Sequence, residues 1–250
     1  MSSIVRWAGI ALLAMLAVVT PARAADTTAV TPRATGLAVG RSGLGGLIGA
    51  SWIHSSGDYA QGALPRPGFV GQFRYQFSPR LRLQVSPGFT WNAYTKHETP
   101  PFVDPAFPAD QTKQRYLTVL VPVTGQVQWV SPGRSGARHL GLGLGLYRVQ
   151  VQNHRKDLRD PVTFKVHRGV YVGGTAELGT ERFLKSLPNT SVELNLVGHL
   201  VHAKRDEQFL AGWNDWIGTV GFHVGVNYYF DVGRLKPKED LPLPGRVRRN

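Results

Sequence analysis

The stretch Trp216–Phe230, WIGTVGFHVGVNYYF, decides how the chain is read. At a period of two, Val220, Phe222, Val224, Val226, Tyr228 and Phe230 share one face, while Gly221, His223, Gly225, Asn227 and Tyr229 share the other. This is a β-strand with one apolar face.

The same alternation recurs upstream. In a first strand over about 36–54, Leu44, Gly46, Ile48, Ala50 and Trp52 alternate with glycines, Leu47 and Ser51. Over about 68–77, Phe69, Phe73, Tyr75 and Phe77 oppose Gln72, Arg74 and Gln76. Over about 81–94, Leu81, Leu83, Val85, Phe89 and Trp91 oppose Arg82, Gln84, Ser86, Thr90 and Asn92. A fourth strand, about 115–130, sets Leu117, Val119, Val121, Val123, Val127 and Trp129 against Thr118, Thr124, Gln126 and Gln128. Pro122 within it cannot donate to a ladder, which predicts a bulge or kink there. A fifth strand, about 139–152, contains LGLGLGLYRVQVQ and changes face near Tyr147, which predicts a one-residue bulge. Strands over about 163–178, around 192–200 and over the opening stretch bring the count to eight. The stretches 55–67, 96–114, 153–162 and 203–215 read as long loops, and 78–80, 131–138 and 179–189 as turns.

The N-terminal MSSIVRWAGIALLAMLAVVTPARA has Arg6, an apolar run over 7–19, Pro21, and small residues at Ala22 and Ala24. This is the pattern of a secretory signal over 1–24 that is cleaved before Ala25. Its apolar run is shorter than the ~20 residues a spanning helix needs. Residues 25–33 read as a polar periplasmic lead-in. The 250 residues include no cysteine, so an exported chain relies on no disulfide. The net charge of +13, which falls to +11 when Arg6 and Arg23 leave with the signal, points to anionic outer-membrane lipid or lipopolysaccharide as counter-charge for an exported chain, and away from nucleic acid.

The last eight residues of the opening stretch, HVGVNYYF, place a polar group at His223, then Gly225, an aromatic at Tyr228 and a final aromatic at Phe230. This spacing resembles the C-terminal β-signal of bacterial outer-membrane barrels, and residues 34–230 resemble the OmpA/OmpX-like families. The resemblance implies an all-β fold, an eight-stranded antiparallel up-and-down transmembrane β-barrel with short periplasmic turns and long external loops. It also implies that the barrel-assembly machinery reads His223, Gly225, Tyr228 and Phe230. Where such barrels often end at the aromatic, this chain runs on through 231–250. That segment has six basic residues, three acidic residues and three prolines, and is expected to be a solvated periplasmic tail.

Alternation by itself does not say which face is inside. A soluble lipocalin-like barrel turns its apolar face inward around a ligand, and a membrane barrel turns it outward. Trp52, Phe77, Trp91, Trp129 and Phe230 near strand ends suit an interfacial aromatic girdle and favour the membrane. The lumen would then hold Arg74 and Arg82 from adjacent strands, Glu177 and Glu193 from another adjacent pair, and Gln72, Gln84, Gln126, Gln128 and Tyr229. His199 and His223 belong to the same polar set. So narrow an interior is filled by side chains, and its charges must be paired, which predicts a structural Arg–Glu network. The rival is an ion pathway.

An enzyme acting on the acyl chains of lipid A would need a His-x-Ser pair with a carboxylate nearby. His54-Ser55-Ser56 has that spacing, whereas neither His199 nor His202 is followed by Ser two residues on. No catalytic set, metal-ligand set or cofactor site is expected. The remaining role is structural or one of surface interaction. Phe102, Phe107, Phe209 and Trp213 in the external loops 96–114 and 203–215 suit protein or glycan partners.

Overall fold

A strand with one apolar face leaves its edge hydrogen-bonding groups open, and closing a sheet on itself removes every edge. The computed structural model describes residues 37–54, 63–94, 116–153, 156–157, 166, 168–202 and 216–231. Eight long strands form one antiparallel sheet: β1 (Arg41–Ile53), β2 (Arg66–Ser78), β3 (Leu81–Tyr94), β4 (Tyr116–Pro132), β5 (Gly136–Asn153), β6 (Arg168–Phe183), β7 (Thr190–His202) and β8 (Trp216–Asp231). Each pairs with its neighbour in sequence, and β8 returns to β1 in register from Arg41↔Asp231 to Ile53↔Thr219, which closes the ring. Two-residue strands, Ala63–Leu64 and Lys156–Asp157, add to β3 and β5 at the loop end.

The short connections, at 79–80, 133–135 and 184–189, lie at the end that holds Arg41 and Asp231, and the long ones lie at the other. In membrane barrels the short-turn end faces the periplasm. The expected signal, lead-in, external loops and tail fall mainly on residues 1–36, 95–115, 203–215 and 232–250, outside the described residues.

Four expectations are corrected. Pro122 causes no bulge. The β4–β5 ladder runs unshifted from Tyr116↔Asn153 to Pro132↔Ala137, and the β3–β4 ladder skips between Pro87↔Val123 and Thr90↔Leu120 but resumes in the same register. The missing donors open a gap without changing the count of residues.

Tyr147 marks no phase slip either. Its partners Pro122 and Tyr171 lie in continuous ladders, and Gly141, Gly143, Gly145, Tyr147, Val149 and Val151 all face inward. The apolar set changes face because the surroundings change: past Leu146 the outer positions are Arg148, Gln150 and Gln152, and the inner ones become apolar.

The sixth strand is Arg168–Phe183 and not 163–178, so the turn after it shrinks to 184–189. The first strand starts at Arg41. The residues before it make a turn in which Gly40 takes a φ of 88°, a left-handed conformation that glycine adopts without steric cost. Its N–H donates to the Gln76 carbonyl at 2.7 Å, and the preceding Leu37 is buried in the barrel mouth.

Candidate functional site

The lumen is shaped by two glycine columns. Strands β1 and β5 stand opposite each other in the ring and carry Gly43, Gly45 and Gly49, and Gly141, Gly143 and Gly145, on their inner faces. Across from the first column, β8 presents Tyr229, Asn227 and His223; across from the second, β4 presents Gln128, Gln126 and Thr124. A Cβ on Gly43 would sit 2.8 Å from the Tyr229 ring, and one on Gly141 would sit 2.9 Å from Gln126 Oε1. Large lumen side chains fit because their neighbours have none.

The columns separate two walls of opposite charge. Strands β2 to β4 supply Arg74, Arg82, Gln84, Gln126 and Gln128, and β6 to β8 supply Glu177, Glu181, Glu193, Asn195, Asn227 and Tyr229. Arg82 Nη1 donates across the lumen to Glu181 Oε1 at 2.9 Å, and its Nε donates to Gln128 Oε1 at 2.7 Å. Arg74 donates to Glu193 and, at 3.3 Å, to Glu181; Glu177 lies 3.8 Å from it, and Gln84 Oε1 takes its Nε–H at 2.5 Å. The Tyr229 hydroxyl donates to Glu181 Oε2 at 2.6 Å. Glu177 accepts from Gln126 at 2.6 Å, from Gln84, Gln128 and His139 Nε2 at 3.0 Å, and from Asn195 at 3.1 Å.

Glu181 and Glu193 are directly opposed in the β6–β7 ladder, where like charges repel. The Arg74 guanidinium bonds to both and turns that repulsion into a bridge. His139, Glu177 and Glu193 bring ligand atoms within 4.8 Å of one another, close enough for a metal ion. Arg74 already lies against both of these carboxylates, so a second cation would meet its charge, and the donor set reads as an ion-pair centre.

Apolar layers cap this charged layer. At the turn end Leu37, Val130, Ala137, Phe183 and the Tyr229 ring pack together. Toward the loop end lies a cavity of about 20 Å³ bounded by Gln72, Ser86, Thr124, Thr175, His199 and His223, the volume of about one water. Above it Ile53, Leu120, Tyr147, Val149, Val151, Val201 and Ile217 pack at 3% exposure or less.

The outer face is the inverse of a soluble protein's surface. Leu144 is 69% exposed and Ile48 68%, whereas Arg74 and Arg82 are 0% exposed. Exposed aromatics stand at both ends of the belt: Tyr75, Phe77, Trp129 and Tyr228 toward the turns, and Trp52 and Trp216 toward the loops. A lipocalin-like barrel would reverse both faces; an apolar belt around a charged lumen matches lipid outside. The chain is an eight-stranded antiparallel transmembrane β-barrel.

The barrel has the eight-stranded antiparallel up-and-down architecture that the closing stretch implied. No protein-family profile and no curated protein matches its sequence. Among solved structures it is similar to Ail of Yersinia pestis, crystallised with the heparin analogue sucrose octasulfate, at 14% identity and a TM-score of 0.47 over 77% of this chain and 100% of that one. It is also similar to Neisserial surface protein A, at 14% identity and a TM-score of 0.48 over 76% and 97% of the two chains. The same holds for OprG of Pseudomonas aeruginosa, at 14% identity and a TM-score of 0.43 over 77% and 96%.

The structure brings Arg74, Arg82, Glu177, Glu193, Gln126 and Gln128 into one cluster, and places His199 and His223 beside it, at the cavity that Glu177 also lines. His199 Nδ1 lies 3.0 Å from the Tyr147 hydroxyl. Among the described residues, His223 Nδ1 has no partner. On β8, Tyr228 and Phe230 face outward with ring centroids 6.4 Å apart, while His223 and Gly225 face inward against β1. His202 faces outward with its ring 4.7 Å from that of Trp216. His54 is exposed at the end of β1, and Ser55 and Ser56 lie outside the described residues.

The sequence reading missed Glu181, His139, Asn195 and Asn227 as members of the charged cluster. For Glu181 the signal was present, since the inward set Thr175, Glu177 continues at the same period through Gly179 to Glu181.

Proposed function

We propose that the barrel is a sealed scaffold of the outer membrane that holds its external loops in place for contacts with protein or glycan, and that it conducts no ions. The observation that carries this reading is the filling of the lumen at successive levels. An ion entering from the loop side would first meet the close-packed, mainly apolar cluster from Ile53 to Ile217, with neutral polar groups such as Ser51, Thr90 and Asn92 buried beside it, and little there replaces its water. It would then have to displace guanidiniums held by carboxylates on the opposite wall. On this reading residues 1–24 are removed on export, 25–33 lead into a barrel over 34–230, and 231–250 form a periplasmic tail. The assembly machinery would read His223, Gly225, Tyr228 and Phe230.

The test is reconstitution of the purified barrel in planar bilayers across a range of voltages. The expected record is the lipid baseline; a steady conductance from the unaltered chain would overturn the sealed-lumen reading. Lipid A recovered from vesicles containing the barrel should keep its full set of acyl chains. A shift by one chain in its mass spectrum would replace the scaffold reading with an enzymatic one.

A further inference from the structure

The turn end of β5 and β6 carries a group of cations without counter-charge. Arg138 on β5 and Arg182 on β6 both point away from the lumen and are exposed, as are Arg134 and Lys185 in the adjoining turns. Arg138 pairs with Thr180 and Gly136 with Arg182, so the two arginines are diagonal neighbours on one outer face, about 7 Å apart at their bases. None of the four forms an ion pair among the described residues. The acidic residue between them in sequence, Glu181, is turned into the lumen and buried. Among the described residues the outward carboxylate at this end is Asp231, which is paired with Arg41 at 3.2 Å.

A groove of about 420 Å³ lies between Arg134, Arg138, Thr180 and Arg182. Directly above it on the same outer face the pairing continues as Leu140↔Leu178 and Leu142↔Ala176. The cationic groove therefore opens onto an apolar track that runs up the outer face along β5 and β6. We propose that this groove binds the phosphate headgroup of an anionic phospholipid in the periplasmic leaflet, with Arg138 and Arg182 as its principal donors and the leucine track under its acyl chains. Charge complementarity and the continuity of cation with apolar track select a lipid over a soluble anion, which would use the first and leave the second uncovered. The opposite, loop-end rim has its own outward pair, Arg148 and Arg168, which serves as an internal control.

The test is native mass spectrometry of the full barrel titrated with phosphatidylglycerol or phosphatidylcholine of matched chains. Phosphatidylglycerol should be retained in preference. R138Q/R182Q should weaken its binding about 30-fold, the value for removing two cations that each contribute about 1 kcal/mol near a membrane surface. R138K/R182K should retain most of the binding, and R148Q/R168Q should change it by less than about 3-fold, as expected for charges at the far rim. Heat-modifiable migration on gels confirms that each variant is folded, and these exposed positions leave the lumen untouched. Equal retention of the two lipids, or equal loss in both Arg-to-Gln pairs, would overturn the site. Displacement of the lipid by inorganic phosphate would likewise overturn it, in favour of a simple anion site.

Discussion

Replacing Glu181 by Gln removes one charge and almost no volume, and it tests the lumen at the position where the ion pairs are least redundant. Arg74 reaches three carboxylates, Glu177, Glu181 and Glu193. Arg82 has one, Glu181, and its Nη2 already has no partner. After E181Q the Arg82 guanidinium would be left fully buried with Gln128 and Tyr229 as neutral partners. Breaking a buried pair by removing one partner costs about 3–5 kcal/mol, most of it the price of an uncompensated charge. Removing the whole pair does not leave that charge, so R82M/E181Q should recover most of the loss and fall within roughly 1–2 kcal/mol of the starting protein. The assay is urea unfolding of the barrel in lipid vesicles, followed by tryptophan fluorescence, with gel migration as a second probe. An E181Q barrel with an unchanged midpoint would refute the argument, as would a double variant that is less stable than E181Q.

R74Q should destabilise more than R82Q in the same assay, since it leaves Glu177, Glu181 and Glu193 facing one another with Arg82 alone among the guanidiniums; the reverse order would place the main charge balance elsewhere. G45A should cost about 1–3 kcal/mol or block assembly, because the added Cβ would fall onto the Asn227 amide oxygen and 2.9 Å from the Val226 carbonyl. G46A, where nothing lies within 4 Å, should migrate and unfold like the parent. Y147F removes the hydroxyl that donates to the Gly174 carbonyl at 3.1 Å and should cost about 1 kcal/mol in the unfolding midpoint while leaving the bilayer baseline flat.

The sequence made the barrel legible because a strand in a membrane sheet alternates between lipid and lumen along most of its length. Phe69, Phe73, Tyr75 and Phe77 against Gln72, Arg74 and Gln76 carry that signal in full. It fails where a strand leaves the lipid, because the outer positions then become polar while the inner ones need not. That is why the alternation of apolar residues ends β6 before Glu181, whose outward neighbours are Thr180 and Arg182, and predicts a bulge in β5 at Tyr147. In both places the period of two was intact, and only the chemistry attached to each face had changed. By phase alone, β6 continues through Glu181 and β5 runs unbroken past Tyr147.

The glycines pose a different problem, since each is explained only by a residue far away in the chain. On the inner face where β1 and β8 close the ring, the paired residues are Gly43 with Tyr229, Gly45 with Asn227, Leu47 with Gly225, Gly49 with His223 and Ser51 with Gly221. Each large residue meets a small one. A slip of two residues keeps the faces correct but sets Asn227 against Leu47 and leaves glycine facing glycine elsewhere, so side-chain volume fixes what alternation leaves free. The composition of β8 is thus set by β1 as much as by lipid. Gly225, the glycine of the closing signal, is the clearest case, because a Cβ there would run into Leu47. Its requirement is a matter of closing this particular ring, and it becomes visible only when the first strand and the last are laid side by side.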